Sequence, residues 1–140
     1  MKILFAIDGS DFSLKILDYV CTHESLFGKH HEYTLLNVQT PLPGRARAMV
    51  GKEMVDDYYR DEAEKVLATA AQHLQRYGIQ AQQRMEVGHA AQTIARVADE
   101  GGFDLLIMGT HGHGAWLTLV LGSVASAVLA HSKVAVLLVR

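Results

Sequence analysis

The chain has 140 residues, 49% hydrophobic and 20% charged, which suits one globular domain spanning residues 1–140 with its own core and excludes a disordered chain. Its 13 basic and 15 acidic residues leave a formal charge of −2, so no electrostatic footprint for nucleic acid is present. The single Cys21 allows no internal disulfide and, beside Leu17 and Val20, reads as a small packing residue in a reducing, cytoplasmic setting.

The run from Lys2 to Ile7 is apolar and ends in Asp8, the pattern of a strand covered on both faces in a parallel sheet. It is also too short for the core of a signal peptide. Gly9-Ser10 breaks the run, and Ser10 is expected to cap a helix carrying Leu14, Leu17, Val20 and Cys21 on one face. His31 to Val38 gives a second strand, followed by the turn-forming Thr40-Pro-Leu-Pro-Gly44. Arg45 to Lys52 has weak patterning and is expected to be a loop or irregular lead-in. A long helix follows, with Val55, Tyr59, Ala63, Val66, Ala70 and Leu74 at spacings of three and four and Gly78 as its stop.

Ile79 to Val87 alternates loosely and suits an edge strand. Ala91, Ile94, Ala95 and Ala98 mark a short helix closed by Gly101-Gly102. Leu105 to Met108 is a buried strand, a glycine-rich loop follows, and Val124, Val128 and Leu129 lie on the next helix. Val134 to Val139 closes the chain as a strand. No Asp, Glu, Lys or Arg occurs between Asp104 and Lys133. That length could span a bilayer, but its glycines, hydroxyl residues and histidines split it into strand, loop and helix, so no membrane span is expected. Strands alternating with helices imply an α/β domain with a mostly parallel, open twisted sheet. Ligands of such sheets sit beyond the carboxyl ends of two neighbouring strands whose connections diverge. The first and fourth strands are the obvious pair, which brings Asp8 and the Gly109 loop to one crevice.

The loop itself reads Gly109-Thr-His-Gly112-His-Gly114, with Gly122-Ser123 opening the helix beyond. Bare backbone N–H groups and a helix N-terminus around one point hold phosphate without cationic side chains. Two common phosphate motifs fail: no Lys follows Gly114 as a Walker A loop requires, and Leu117 stands where the dinucleotide fingerprint needs its third glycine. Gly109 and Gly112 are expected to admit the backbone closely and to take positive φ. His111 and His113 lack partners at zinc-like spacing and are expected to face phosphate or solvent. Trp116 reads as a packing or dimer contact.

The spacing Gly-x2-Gly-x9-Gly-Ser resembles the nucleotide-binding branch of the universal stress protein family. So do Ile-Leu-Phe-Ala-Ile-Asp8-Gly-Ser, Val87-Gly88, Asp104-Leu-Leu-Ile-Met-Gly-Thr-His-Gly, Leu121-Gly-Ser-Val and the terminal Val-Ala-Val-Leu-Leu-Val-Arg140. The resemblance implies a five-stranded, Rossmann-like sheet in the order 3-2-1-4-5 with helices on both faces. It also implies a homodimer that binds ATP, AMP or ADP with Mg²⁺ as a companion metal. Carried over by position, adenosine lies near Ala6, Asp8 and Val38. Met108, Gly109, Thr110, His111, Gly112, His113 and Gly114 then line ribose and phosphates together with Gly122, Ser123 and Val124. Asp8 either holds the metal, bonds ribose or caps the turn after it.

The chain departs from several relatives in having His113 where they carry Lys or Arg, and from many in having Lys133-Val134-Ala135 where they carry Pro before the last strand. Three functions stay open at this point. One is a nucleotide-binding regulatory dimer of the stress response. The second is a slow ATP hydrolase or phosphotransferase using Asp8 with His111 or His113. The third is a nucleotide-free dimerisation module. The dimer is expected through Val134 to Val139, since an apolar edge strand left unpaired is an aggregation hazard.

Overall fold

The computed structural model describes residues 1–113 and 121–140. Its elements are, in chain order, β1 (Lys2–Ala6), α1 (Asp11–Thr22), β2 (Glu32–Gln39), α2 (Gly44–Val50) and α3 (Lys52–Arg76). They continue with β3 (Ala81–Val87), α4 (Ala90–Glu100), β4 (Leu105–Gly109), α5 (Ser123–His131) and β5 (Ala135–Val139). The sheet runs in the order β3-β2-β1-β4-β5, and all four pairings are parallel.

The unbroken apolar runs of the inner strands follow from burial on both faces, because successive side chains point to opposite sides. Ile3, Phe5, Leu35 and Ile107 face one layer and pack with Ile16, Leu17 and Val20 of α1 and Leu67 and Leu74 of α3. Leu4, Leu36, Leu106 and Met108 face the other and pack with Ile94, Val97 and Ala98 of α4 and Ala125 and Val128 of α5. Each such Leu or Ile contributes about 1.5 to 3 kcal/mol by leaving water. Two polar groups inside this frame are matched. Asn37, almost fully buried, donates from Nδ2 to the Ile7 carbonyl at 2.9 Å and accepts from Gln39 Nε2 at 2.6 Å. Tyr33 donates its hydroxyl to the Gly28 carbonyl at 3.0 Å.

The structure corrects several expectations from sequence. Gly44 to Val50 is helical, not an irregular lead-in; α2 buries no residue, so it carries no apolar stripe for a period argument to detect. On α1 the inward residues are Ile16, Leu17 and Val20, with Leu14 left 44% exposed, because the layer beneath is met one residue around the helix. Cys21 is only partly buried, and burial together with the Asp18 charge raises its thiol above the ordinary range, which suits an unreactive packing role. On α3 Leu67 is buried where Val66 was expected, and on α5 Ala125 and Val128 face inward while Val124 and Leu129 stay exposed. Ser10 occupies the N-cap of α1 but its side chain makes no capping hydrogen bond.

Candidate functional site

The strand order puts β1 and β4 side by side with diverging exits. β1 leads into α1 on one face of the sheet, and the connection from β4 arrives at α5 on the other. A crevice must open between those exits, which is where open α/β sheets hold ligands. A cavity of about 420 Å³ occupies it, within the range of about 300 to 1,000 Å³ usual for small-molecule sites.

Asp8 sets the geometry on the β1 side. The chain turns at Gly9, whose φ of +80° is a left-handed conformation that side chains disfavour. The turn folds the Asp8 carboxylate back over the start of α1. Its Oδ1 accepts the Ser10 N–H at 2.9 Å and the Ser13 hydroxyl at 3.0 Å, while its Oδ2 accepts the His113 N–H at 3.2 Å. Burial pushes this carboxyl upward, but the hydrogen bonds from Ser10, Ser13 and His113 together outweigh burial and hold it below the usual carboxylate range. The acid is therefore ionised at neutral pH and caps the turn.

The β4 side closes onto it. His113 Nε2 lies 2.7 Å from the Asp8 carbonyl; since a carbonyl only accepts, this nitrogen carries the proton. Thr110 is buried; its N–H donates to Val139 O at 2.9 Å and its carbonyl accepts the Gly122 N–H at 2.7 Å. The loop and the head of α5 are thereby joined directly. His111 Nδ1 lies 3.0 Å from Thr110 Oγ1, and its ring sits 5.4 Å from that of Phe12.

The glycines of this loop serve space rather than torsion, contrary to the expectation of positive φ at Gly109 and Gly112: neither adopts it. A Cβ on Gly112 would collide with Asp8 Oδ2, one on Gly109 would lie 2.8 Å from the His111 carbonyl oxygen, and one on Gly122 would lie 2.9 Å from that of Thr110. The expected convergence of the amides of residues 109 to 114 and of the turn at 122 and 123 on one anion is met only in part, because those of Thr110, His113 and Gly122 are spent internally, and Gly114 lies outside the described residues. Among the described residues, the head of α5 brings donors to the cavity. Its first intrahelical bond runs from Ser126 N–H to the Gly122 carbonyl, which leaves the N–H groups of Ser123, Val124 and Ala125 outside the ladder. No side chain caps this end.

Of the residues selected from sequence, Ala6, Asp8, Val38, Met108, Gly109, Thr110, His111, Gly112, His113, Gly122, Ser123 and Val124 all line the cavity. Gly114, and with it Trp116, lies outside the described residues. Sequence reasoning missed Phe12, Leu36, Ala90 and Ile94, which complete an apolar wall. These look like ordinary core residues in a linear sequence, and only the crossing of α1 and α4 over the strand ends turns them toward the crevice. Asn37, which holds the Ile7 carbonyl, had a readable signal as an amide inside an apolar strand. Asp8 is the acidic residue among the described lining residues, and no group of three or more His, Cys, Asp and Glu converges among the described residues. The metal expected at Asp8 thus has one carboxylate from this site, an arrangement that fits Mg²⁺ carried in with phosphate better than a protein-held ion. No described helix is long and apolar enough to cross a membrane.

Comparison with known proteins places this geometry. The chain is 33% identical to Universal stress protein Slr1230 of Synechocystis over 99% of its own length, though it spans only 42% of that relative. It is 31% identical to Universal stress protein YxiE of Bacillus subtilis over 99% of this chain and 98% of the other. Among solved structures, hypothetical protein MJ0577 of Methanocaldococcus jannaschii superimposes with a TM-score of 0.80 at 28% identity, covering 99% of this chain and 94% of that one. A universal stress protein in complex with cAMP superimposes with a TM-score of 0.72 at 25% identity, covering 100% and 97%. The profile described as Universal stress protein family matches residues 1–140, and on that match the chain belongs to the universal stress protein family.

Proposed function

We propose that the chain binds an adenine nucleotide, ATP, ADP or AMP, in the β1–β4 crevice and acts as a dimeric regulator whose state follows nucleotide occupancy. The observation that carries the reading is the direct junction of the 109–113 loop with the uncapped head of α5 above an apolar cavity. Such a site offers apolar walls for a base and oriented N–H groups for phosphate. The solved relative in complex with cAMP, alike over its whole length, supports this use of the fold. Asp8 supplies the one carboxylate for a Mg²⁺ that arrives with the phosphates.

The hydrolase alternative draws less support. Attack by water needs a base aimed at it, whereas Asp8 Oδ1 already accepts two hydrogen bonds and His113 Nε2 is a donor to a carbonyl. For the dimer, β5 is the outer strand beside β4, and pairing it with its copy across a two-fold axis satisfies its free edge. Titration with fluorescent adenine nucleotides tests the binding function: saturation below millimolar concentration is expected, and its absence for ATP and AMP alike overturns the reading. Sedimentation at micromolar protein tests the assembly, with a monomer mass as the contrary result.

A further inference from the structure

We infer that the corner between α2 and α3, together with the end of β3, is a docking surface for an acidic amphipathic helix of a partner protein; this holds whether or not the crevice binds nucleotide. The first ground is a helix with no core of its own. α2 has seven residues and buries none of them, although helices this short owe their stability to packing an apolar face. Met49 is instead 87% exposed and Val50 is exposed beside it; past the Gly51 corner, Met54 is 65% exposed and Tyr58 is exposed one turn further on. Both lie outside the buried stripe of Val55, Tyr59 and Ala63. The exit of β2 leads into this corner, which therefore stands toward the carboxyl ends of the strands. β3 adds to the same end. Alternation from Ala81, which packs against the layer of α1 and α3, puts Met85 and Val87 on the α3 side of the sheet, and both are exposed. Six apolar side chains, three of them methionine, thus face solvent there, the composition of surfaces that adapt to partner helices.

Charge selects the partner. Arg45, Arg47 and Lys52 are exposed and make no ion pair among the described residues. The next cations along α3 are matched, Arg60 by Asp57 at 3.1 Å and Lys65 by Glu62 at 2.7 Å. From 44 to 54 the only acidic residue is Glu53. Apolar anchors beside three unpaired cations call for a partner that carries carboxylates along its own apolar stripe. A lipid surface fits less well. The six side chains include no Trp, Phe or Leu, the anchors of interfacial helices. An anionic bilayer would also meet Asp56, Asp57 and Asp61 on the next turns of α3, whereas a single helix, about 10 Å wide, needs only α2 and the first turn of α3.

The test is methyl NMR on the full chain, whose five methionines report Met49 and Met54 separately from Met1, Met85 and Met108 once assigned by single substitution. The probes are two synthetic helical peptides of about 20 residues with the same leucine stripe, one flanked by glutamates and the other by lysines. The acidic peptide is expected to shift the Met49 and Met54 methyls saturably, with Kd below about 100 μM, and the basic one to bind at least about tenfold more weakly. Arg45→Glu combined with Arg47→Glu, at exposed and unpaired positions, is expected to invert that preference without lowering Tm. Met49→Gln combined with Met54→Gln is expected to abolish binding of the acidic peptide, read on the Met85 methyl and by the peptide's own anisotropy. Neither peptide moving Met49 or Met54 at about 1 mM, both moving them equally, or the double arginine variant keeping the acidic preference overturns the proposal. Met49 and Met54 signals that change on dilution of the free protein overturn it in favour of a second copy. Signals lost on phosphatidylserine vesicles but unmoved by the acidic peptide overturn it in favour of a membrane surface.

Discussion

Two turns meet at Asp8, and each uses glycine for a different physical reason. The β1–α1 turn needs Gly9 for its torsion: at φ +80° a side chain is strained, and its Cβ would lie 2.8 Å from Val66 Cγ2 on α3. The β4 loop needs Gly112 for vacancy, since its backbone torsion is ordinary but the Asp8 carboxylate occupies the place of a Cβ. The first glycine therefore belongs to folding and the second to the site.

Substitution at each turn separates them. Gly112→Val is expected to have the largest effect on binding, displacing the carboxylate and the His113 N–H from each other and weakening nucleotide affinity about 100-fold, or about 2.7 kcal/mol. Thermal unfolding of the apo protein should move by only a few degrees, and a comparable loss of stability would show that the two turns do the same work. Gly9→Ala should do the reverse, costing about 1 to 2 kcal/mol of folding free energy from the left-handed torsion, read by urea denaturation, with affinity changed less than about threefold.

Asp8→Asn sharpens the comparison through pH. The folded carboxyl titrates below its ordinary value, so its stabilising contribution is present above about pH 4, and is lost as pH falls through the lower folded value. The Asn variant should lose part of the acid-side slope of stability, with Glu86 and Asp99, also held below their ordinary values, supplying the remainder. An unchanged slope would mean that the turn does not depend on the charge. The smallest effect is expected at Gly44, where a Cβ meets nothing within 4 Å and φ is not positive. Gly44→Ala, at the first position of α2, should shift stability upward by no more than about 1 kcal/mol, without effect on binding.

The alternation of strands and helices, the β3 edge and the crevice partners Asp8 and Gly109 were all legible, because runs such as Ile3 to Phe5 and Leu105 to Met108 carry the signature of two-sided burial. The helix at Gly44 to Val50 was not, since a helix that buries nothing leaves no period to read. The exchange of Val124 for Ala125 on α5 was missed for a related cause: both are apolar, and only the packing of α5 into the layer of Ile94, Val97, Leu106 and Met108 selects the smaller one for the interior.

Composition and order of residues determined the layered parallel sheet, since apolar strands bounded by glycine and separated by amphipathic helices bury their surfaces in few other ways. They also determined that the loop region carries no Lys, Arg, Asp or Glu, a property independent of conformation. Which amides remain available to a ligand was decided by the tertiary structure. The pairing of Thr110 with Val139 and of His113 with Asp8 joins residues far apart in the chain, and hydrogen bonds of that kind depend on distances that exist only once the strands are aligned.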